Sequence, residues 1–483
     1  MFESSHPFTL FEDFRVPYRH SRLAPTLDAY GRLRAAEAEG PFLLWPLADR
    51  PEFAGARVGA FAVDAIPLHG RVVPDELSED CRRFLGGTWR RGGPVVDASG
   101  VTVGSTWMRD DGSILLPFDP NAVIRCARSE GYQTLGGHSL SSRAKTLSRR
   151  LYYRVRPTLP RPVQIRIRQA FTRIQARSRF PRWPVEPSLH DLYDRLFRLV
   201  AGIAGEPVPR IAAWPNDHSW ALVLTHDVET ELGYRSLGPM REIEEAAGCR
   251  SSWNFVPRRY AVEDSVVEEL KKAGFEVGVH GLHHDGLDLD SLSLLRKRLP
   301  EMQQWATRWG AVGFRAPALH RTHEWMPLLG FDYDSSYPDT DPYEPKAGGC
   351  LSWLPFFNGS QVELPVTVPQ DHTVFVILRQ ADERLWVEKA RYLRERGGMV
   401  LVLTHPDYML DESRLSAYSR FLDEFARDAT GWRALPREVS AWWRRRAASS
   451  VERVDGNWRI VGPAADEGSV ELVGEARSLQ EAA

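Results

Sequence analysis

No CxxC pair occurs among the four cysteines, Cys81, Cys126, Cys249 and Cys350. Their wide separation excludes a clipped structural zinc and suits a reducing compartment better than a disulfide framework. The chain also lacks GxSxG, GxxxxGK[ST] and HExxH, which argues against a serine hydrolase of the nucleophile-elbow type, a P-loop enzyme and a zinc peptidase of that class. No apolar run approaches the roughly 18 residues that a spanning helix needs. The first 20 residues show neither a basic start followed by an apolar stretch nor a small-residue cleavage site, so the expected location is the cytoplasm. Formal net charge is only −2, and no nucleic-acid partner is expected from it.

Acidic residues are missing from one long stretch. Between Gly131 and Val185 there is no Asp or Glu, while basic residues recur from Arg143 to Arg182, among them Lys145, Arg156, Arg166 and Arg173. This break, interrupted by Pro157, Pro160 and Pro162, divides the chain. The expected organisation is an N-terminal α/β or β-rich domain over 1–130, a basic linker or helical segment over 131–190, an α/β domain over 191–445, and a C-terminal hairpin and tail over 446–483. A basic amphipathic segment can lie on an anionic membrane surface, and peripheral contact through 143–182 is one expectation. A solvated linker packed on an acidic neighbour is the plainer one.

What is present beyond the linker is alternation. WALVLTH (220–226), SSWNFV, EVGVHG, VGFRAP and MVLVLTH (399–405) read as strands, and MREIEEAAG, SVVEELKKAGF, LSLLRKRLPEMQQWATRWG and ERLWVEKARYLRERGG as the helices between them. This order implies parallel strands joined by crossover helices, in a barrel or a doubly wound sheet. VERVDGNWRIVG near the end reads as a DG hairpin.

In such folds functional groups collect at the carboxyl ends of the strands. Here the strand ends carry His226, Asp227 and Glu229; His280, His283, His284 and Asp285; Arg315; Asp334; and His405 and Asp407. HGLHH spaces His280 and His284 four apart, so a helical turn there would face both imidazoles to one ion. With a carboxylate as third ligand, positions stay open for water and substrate, as in a catalytic rather than a structural site.

In order along the chain, LTHDVE (224–229), HGLHH (280–284), RAPAL (315–319), YDSSYPD (333–339) and LVLTHP (401–406) resemble the five motifs of the polysaccharide deacetylases of the NodB-homology type, carbohydrate esterase family 4. The resemblance covers about 190 residues and implies a distorted (β/α) barrel. It implies that Asp227 is the catalytic base, that His280 and His284 are metal ligands, and that Arg315 orients or charge-pairs the base. His405 would be the general acid. The family's second Asp is replaced here by Val228, so Glu229 is assigned as the third ligand, following the DVD/DVE variant. Leu319 stands where the family has glycine, and Gly281 where it has Ser or Thr. Pro317, Tyr337 and Asp371 are assigned to substrate binding. The implied cofactor is one divalent metal, zinc by default, with cobalt, manganese or nickel as alternatives.

The function so implied is removal of an acetyl group from an N- or O-acetylated sugar, in a polysaccharide or glycoconjugate precursor, in the cytoplasm or at the inner membrane face. Two rivals are a metal-independent hydrolase of a small cyclic amide and an inactive sugar-binding barrel. The extra histidines His226 and His283 are expected to be satisfied by hydrogen bonds outside the metal shell. Trp353, Phe356, Phe357 and Tyr343, with Tyr337, offer stacking faces for a sugar ring, and core packing is the plainer expectation for any one of them.

Overall fold

The protein is mixed α/β. The computed structural model describes residues 1–23, 27–36, 40–135 and 179–474, with isolated positions between 166 and 176. The arginine-rich segment expected as a linker therefore lies mostly outside the described residues. Contacts divide the chain into two compact units. One comprises Met1–Arg143, Pro187–Ala212 and Arg445–Ala483, and the other Ala144–Glu186 and Ala213–Arg444. Residues 191–212, expected to open the second domain, are grouped with the first unit by these contacts.

The first unit is built on a nine-stranded mixed sheet running through Phe2–Ser4, Tyr30–Ala35, Phe42–Pro46 and, at its far side, the hairpin Arg57–Val63 with Ile66–Val72. A helix, Ser188–Ala204, buries Leu189, Leu192, Leu196, Leu199 and Ile203 at three- and four-residue spacing, the stripe of an amphipathic helix against a sheet. Arg446 is fully enclosed and donates to the carbonyls of Asp13, Ile211 and Ala212, so one guanidinium fastens two distant segments of this unit to its own. The expected hairpin forms between Ser450–Val454 and Asn457–Val461. Asp455 and Gly456 both take positive φ, as its tight turn demands.

The second unit follows the alternation read from the sequence. Its strands are β1 (Trp220–Val228), β2 (Ser251–Phe255), β3 (Glu276–Val279), β4 (Gly313–Phe314), β5 (Tyr333–Asp334), β6 (Phe356–Asn358), β7 (Gln361–Glu363), β8 (Met399–Thr404) and β9 (Gly431–Ala434). Seven run parallel in the order β8-β1-β2-β3-β4-β5-β7. β9 also pairs with β1, and β6 lies antiparallel on β7. The far ends approach each other through residues 366–368. Val366 donates its N–H to the Tyr337 carbonyl, and Val368 donates to that of Leu401. Helices Gly238–Ala246, Asp264–Lys272, Leu292–Trp309, Arg384–Glu395 and Glu412–Phe425 fill the connections. β1 is buried at every position, as a strand covered on both faces must be.

Register places the site. Asp227 pairs with Asn254, Val279 with Phe314, and His226 with Thr404, so residues 227, 254, 280, 315 and 405 all emerge at one edge of the sheet.

The opposite edge holds Glu276, buried at the start of β3. It accepts from the Tyr333 hydroxyl at 2.8 Å and the Arg437 N–H at 3.0 Å. Burial outweighs these bonds and pushes its pKa to about 7. A carboxyl raised in the folded state favours folding in its protonated form, so this contribution to stability is lost as pH rises from about 4.5 through 7. Glu276→Gln is therefore expected to gain on wild type by up to about 3 kcal/mol between pH 5 and pH 8 in urea unfolding. An unchanged difference at the two pH values would contradict this.

Candidate active site

Asp227, at the end of β1, is enclosed. Its Oδ1 accepts from Asn254 Nδ2 at 2.9 Å and from an Arg315 guanidinium nitrogen at 3.3 Å, and its Oδ2 lies 3.7 Å from His280 Nδ1. Burial alone would raise its pKa, but the charges of His280, Arg315 and His405 and the Asn254 bond outweigh that and hold it below the ordinary value. Arg315 is itself fixed by Ser335, which receives bonds at its carbonyl and hydroxyl at 2.7 Å each, and by the Thr225 hydroxyl at 2.8 Å.

His280, His284 and Glu229 each offer a ligand atom, and these atoms lie within 4.8 Å of one another. His280 donates from Nδ1 to the Arg315 carbonyl at 3.1 Å, since a carbonyl can only accept. Its buried Nε2 is left with a lone pair and has no hydrogen-bond partner among the described residues. Burial, the largest influence, lowers its pKa to about 4, so the ring is neutral near pH 7. An unpaired, neutral imidazole nitrogen beside a carboxylate and a second histidine fits a divalent cation. His284 is held differently. Its Nε2 is 3.0 Å from Glu229 Oε1, and Arg259 donates to its Nδ1 at 2.6 Å. Arg259 can only donate, so in this arrangement the His284 proton sits on Nε2. Ligation through Nε2 requires the proton on Nδ1 and the exposed Arg259 side chain displaced.

The expected helical turn in HGLHH is absent. Gly281 and His284 both take positive φ, and the two rings meet at 5.1 Å through a turn instead. A Cβ at position 281 would come within 2.5 Å of Asp288 Oδ2 and 2.7 Å of Pro317, which explains the glycine where the resembled motif has Ser or Thr.

His405 follows β8. Asp371 binds its Nδ1 at 2.6 Å and its backbone N–H at 2.7 Å, while Nε2 faces Glu229 Oε1 at 3.9 Å. Burial opposes the charge on this ring, but the adjacent carboxylate of Asp371, with Glu229 and Asp227 beyond, raises its pKa to about 10. Asp371 had been expected at the substrate. Both its oxygens are instead engaged by His405 and it is fully buried, so it orients the histidine. Tyr337 and Pro317 are also enclosed. Tyr337 lies beneath Arg321, and Pro317 packs at Gly281. Trp353, Phe356 and Tyr343 are buried and Phe357 is partly so. His226 points away from the site into a closed network: Nδ1 meets the Thr404 hydroxyl at 2.8 Å, and Nε2 meets Glu244 at 2.6 Å, which also accepts from Ser251 and Tyr418. His283 is exposed.

Asn254, Thr225, Ser335, Arg259 and Tyr408 were not anticipated at the site. Asn254 had a readable signal, since it stands one residue before the end of β2, the strand next to β1, level with Asp227. Thr225 shares a face of β1 with Asp227 two residues on, Ser335 follows the strand end at Asp334 and Tyr408 stands three residues after His405, whereas Arg259 is brought near only by the fold.

No family model matches the chain, and no curated protein matches it. Solved structures do. One is a Mycobacterium smegmatis protein assigned as a polysaccharide deacetylase, at 20% identity and a TM-score of 0.40, over 48% of this chain and 93% of that one. Puue allantoinase matches at 15% identity and 0.40, over 48% and 92%. A family 4 carbohydrate esterase from Streptomyces lividans matches at 15% and 0.31, over 44% and 92%. Polysaccharide deacetylases and an allantoinase are its structural neighbours. What this site can do chemically follows from its own atoms.

Proposed function

We propose that the chain is a metal-dependent deacetylase that removes an acetyl group from an N- or O-acetylated sugar, and that its second unit is a distorted (β/α) barrel of the NodB type. The observation that carries this is the cluster of His280, His284 and Glu229, whose ligand atoms lie within 4.8 Å of one another, with Asp227 Oδ2 3.7 Å from His280 Nδ1 and His405 Nε2 3.9 Å from Glu229 Oε1.

His280, His284 and Glu229 would hold the ion. A divalent ion there, zinc by default, supplies Lewis acidity toward the acetyl carbonyl and acidifies water. Asp227 takes the proton of the attacking water, and its charge is kept available by Arg315 and Asn254. His405, cationic near pH 7 and aimed by Asp371, donates from Nε2 to the departing amine or alkoxide. Such positioned proton transfer contributes about 10²- to 10⁴-fold in rate. The substrate would be a glycoconjugate or polysaccharide precursor met in the cytoplasm or at the inner membrane face, with the basic segment 131–190 as linker and its arginine-rich part 143–182 as a peripheral contact for anionic lipid. No helix among the described residues is long and apolar enough to cross a membrane.

A second reading, hydrolysis of a cyclic amide without metal, is favoured by one feature: Arg259, His284 and Glu229 already form a closed hydrogen-bonded chain. Elemental analysis of the purified protein, with acetate release from N-acetylated sugars before and after chelation, separates the two. About one ion per chain and chelator-sensitive release are expected. Full activity without metal on a cyclic amide, and none on acetylated sugars, would overturn the deacetylase reading.

A further inference from the structure

Glu229 lies one residue past the end of β1, where the sheet no longer fixes the backbone. Its position is set from the loop after β8. Asp407 Oδ2 accepts the Glu229 backbone N–H at 3.0 Å, and Asp407 Oδ1 accepts the Thr230 hydroxyl. Thr230 in turn caps the short helix Glu231–Tyr234. The fit is close, since a Cβ at Gly233 would stand 2.3 Å from Asp407 Oδ2, so no residue but glycine lets the carboxylate in. The next residue acts on the Glu229 side chain itself. Tyr408 donates its hydroxyl to Glu229 Oε2 at 3.2 Å, leaving Oε1 as the oxygen that faces His284 at 3.0 Å and His405 at 3.9 Å.

We infer that Asp407 and Tyr408 are positioning residues that make Glu229 a one-oxygen ligand of a divalent cation. This rests on the metal-centre reading above. A carboxylate free to bind through both oxygens would occupy two places around the ion. With Oε2 tied to Tyr408 it occupies one, and the freed position stays open for water or the acetyl oxygen, which a catalytic site needs and a structural site does not. Asp407 supplies the other half by fixing the backbone from which that carboxylate projects, the kind of support whose loss typically costs about 10- to 100-fold in metal affinity. The same loop carries His405, so ligand and acid are held in one frame.

The test uses the full chain loaded with cobalt(II), whose visible absorption reports coordination number, together with zinc affinity from chelator competition. Tyr408→Phe is expected to weaken the visible bands, as a second carboxylate oxygen joins the ion, with an unchanged thermal midpoint. Asp407→Ala is expected to loosen zinc about 10- to 100-fold, and Asp407→Asn, which can still accept the Glu229 N–H, to recover most of that loss. A Tyr408→Phe spectrum identical to wild type, together with unaltered zinc affinity in Asp407→Ala, overturns the inference. A wild-type protein that takes up neither metal overturns the metal centre itself, and the inference with it.

Discussion

Asp227→Asn is expected to cut kcat/KM for acetate release by about 10²- to 10⁴-fold while the protein keeps its metal. The substitution is isosteric. The amide oxygen can still accept from Asn254 and Arg315, and the three ligand residues are untouched. What is lost is the charge that accepts the water's proton. It is also the charge opposite Arg315, whose side chain is 1% exposed, so a fall in stability of about 3–5 kcal/mol is expected alongside. Rates are therefore to be compared below the variant's unfolding transition, with metal content measured on the same sample. Activity within tenfold of wild type would remove Asp227 as the base.

The second large effect is expected at Asp371. Asp371→Asn removes the carboxylate that most strongly favours the charged form of His405, and burial then acts on that ring with less opposition. The His405 pKa must fall. As His405 serves in its protonated form, the alkaline limb of the kcat profile moves to lower pH, and kcat near pH 8 drops by about 10²-fold or more. KM is expected to change little, because Asp371 is fully buried behind the histidine. If Asp371 instead contacted substrate, KM would rise and the pH limb would stay where it is. His405→Asn, measured in parallel, fixes the floor to which Asp371→Asn is compared.

Much of this site was readable because a parallel α/β sheet delivers the residues after each strand to one edge. LTHDVE, HGLHH, RAPAL and LVLTHP each follow an apolar run, so Asp227, His280, Arg315 and His405 could be placed near one another before any coordinate was known. The HGLHH spacing suggested a helical turn that does not form. Gly281 and His284 adopt left-handed backbone instead, under the crowding of Asp288 and Pro317, which are distant in sequence from each other. His226 sits beside Asp227 in the chain yet faces the opposite way, because neighbouring side chains of a strand alternate between its two faces. Alternation gives the opposition, but not which face holds Glu244.

The sequence by itself determined the order of strands and helices in the second unit, the edge at which its ionisable groups gather and the residue types able to hold an ion and move protons. Periodicity and strand-end position are local properties, carried by neighbouring residues. Only the tertiary structure decided that Asp371 supports His405 across 34 positions, that Tyr408 reaches Glu229 across 179, and that Arg446 ties residues 13 and 212 into one unit. Those contacts depend on which loops the closed fold sets side by side, and no local pattern encodes that.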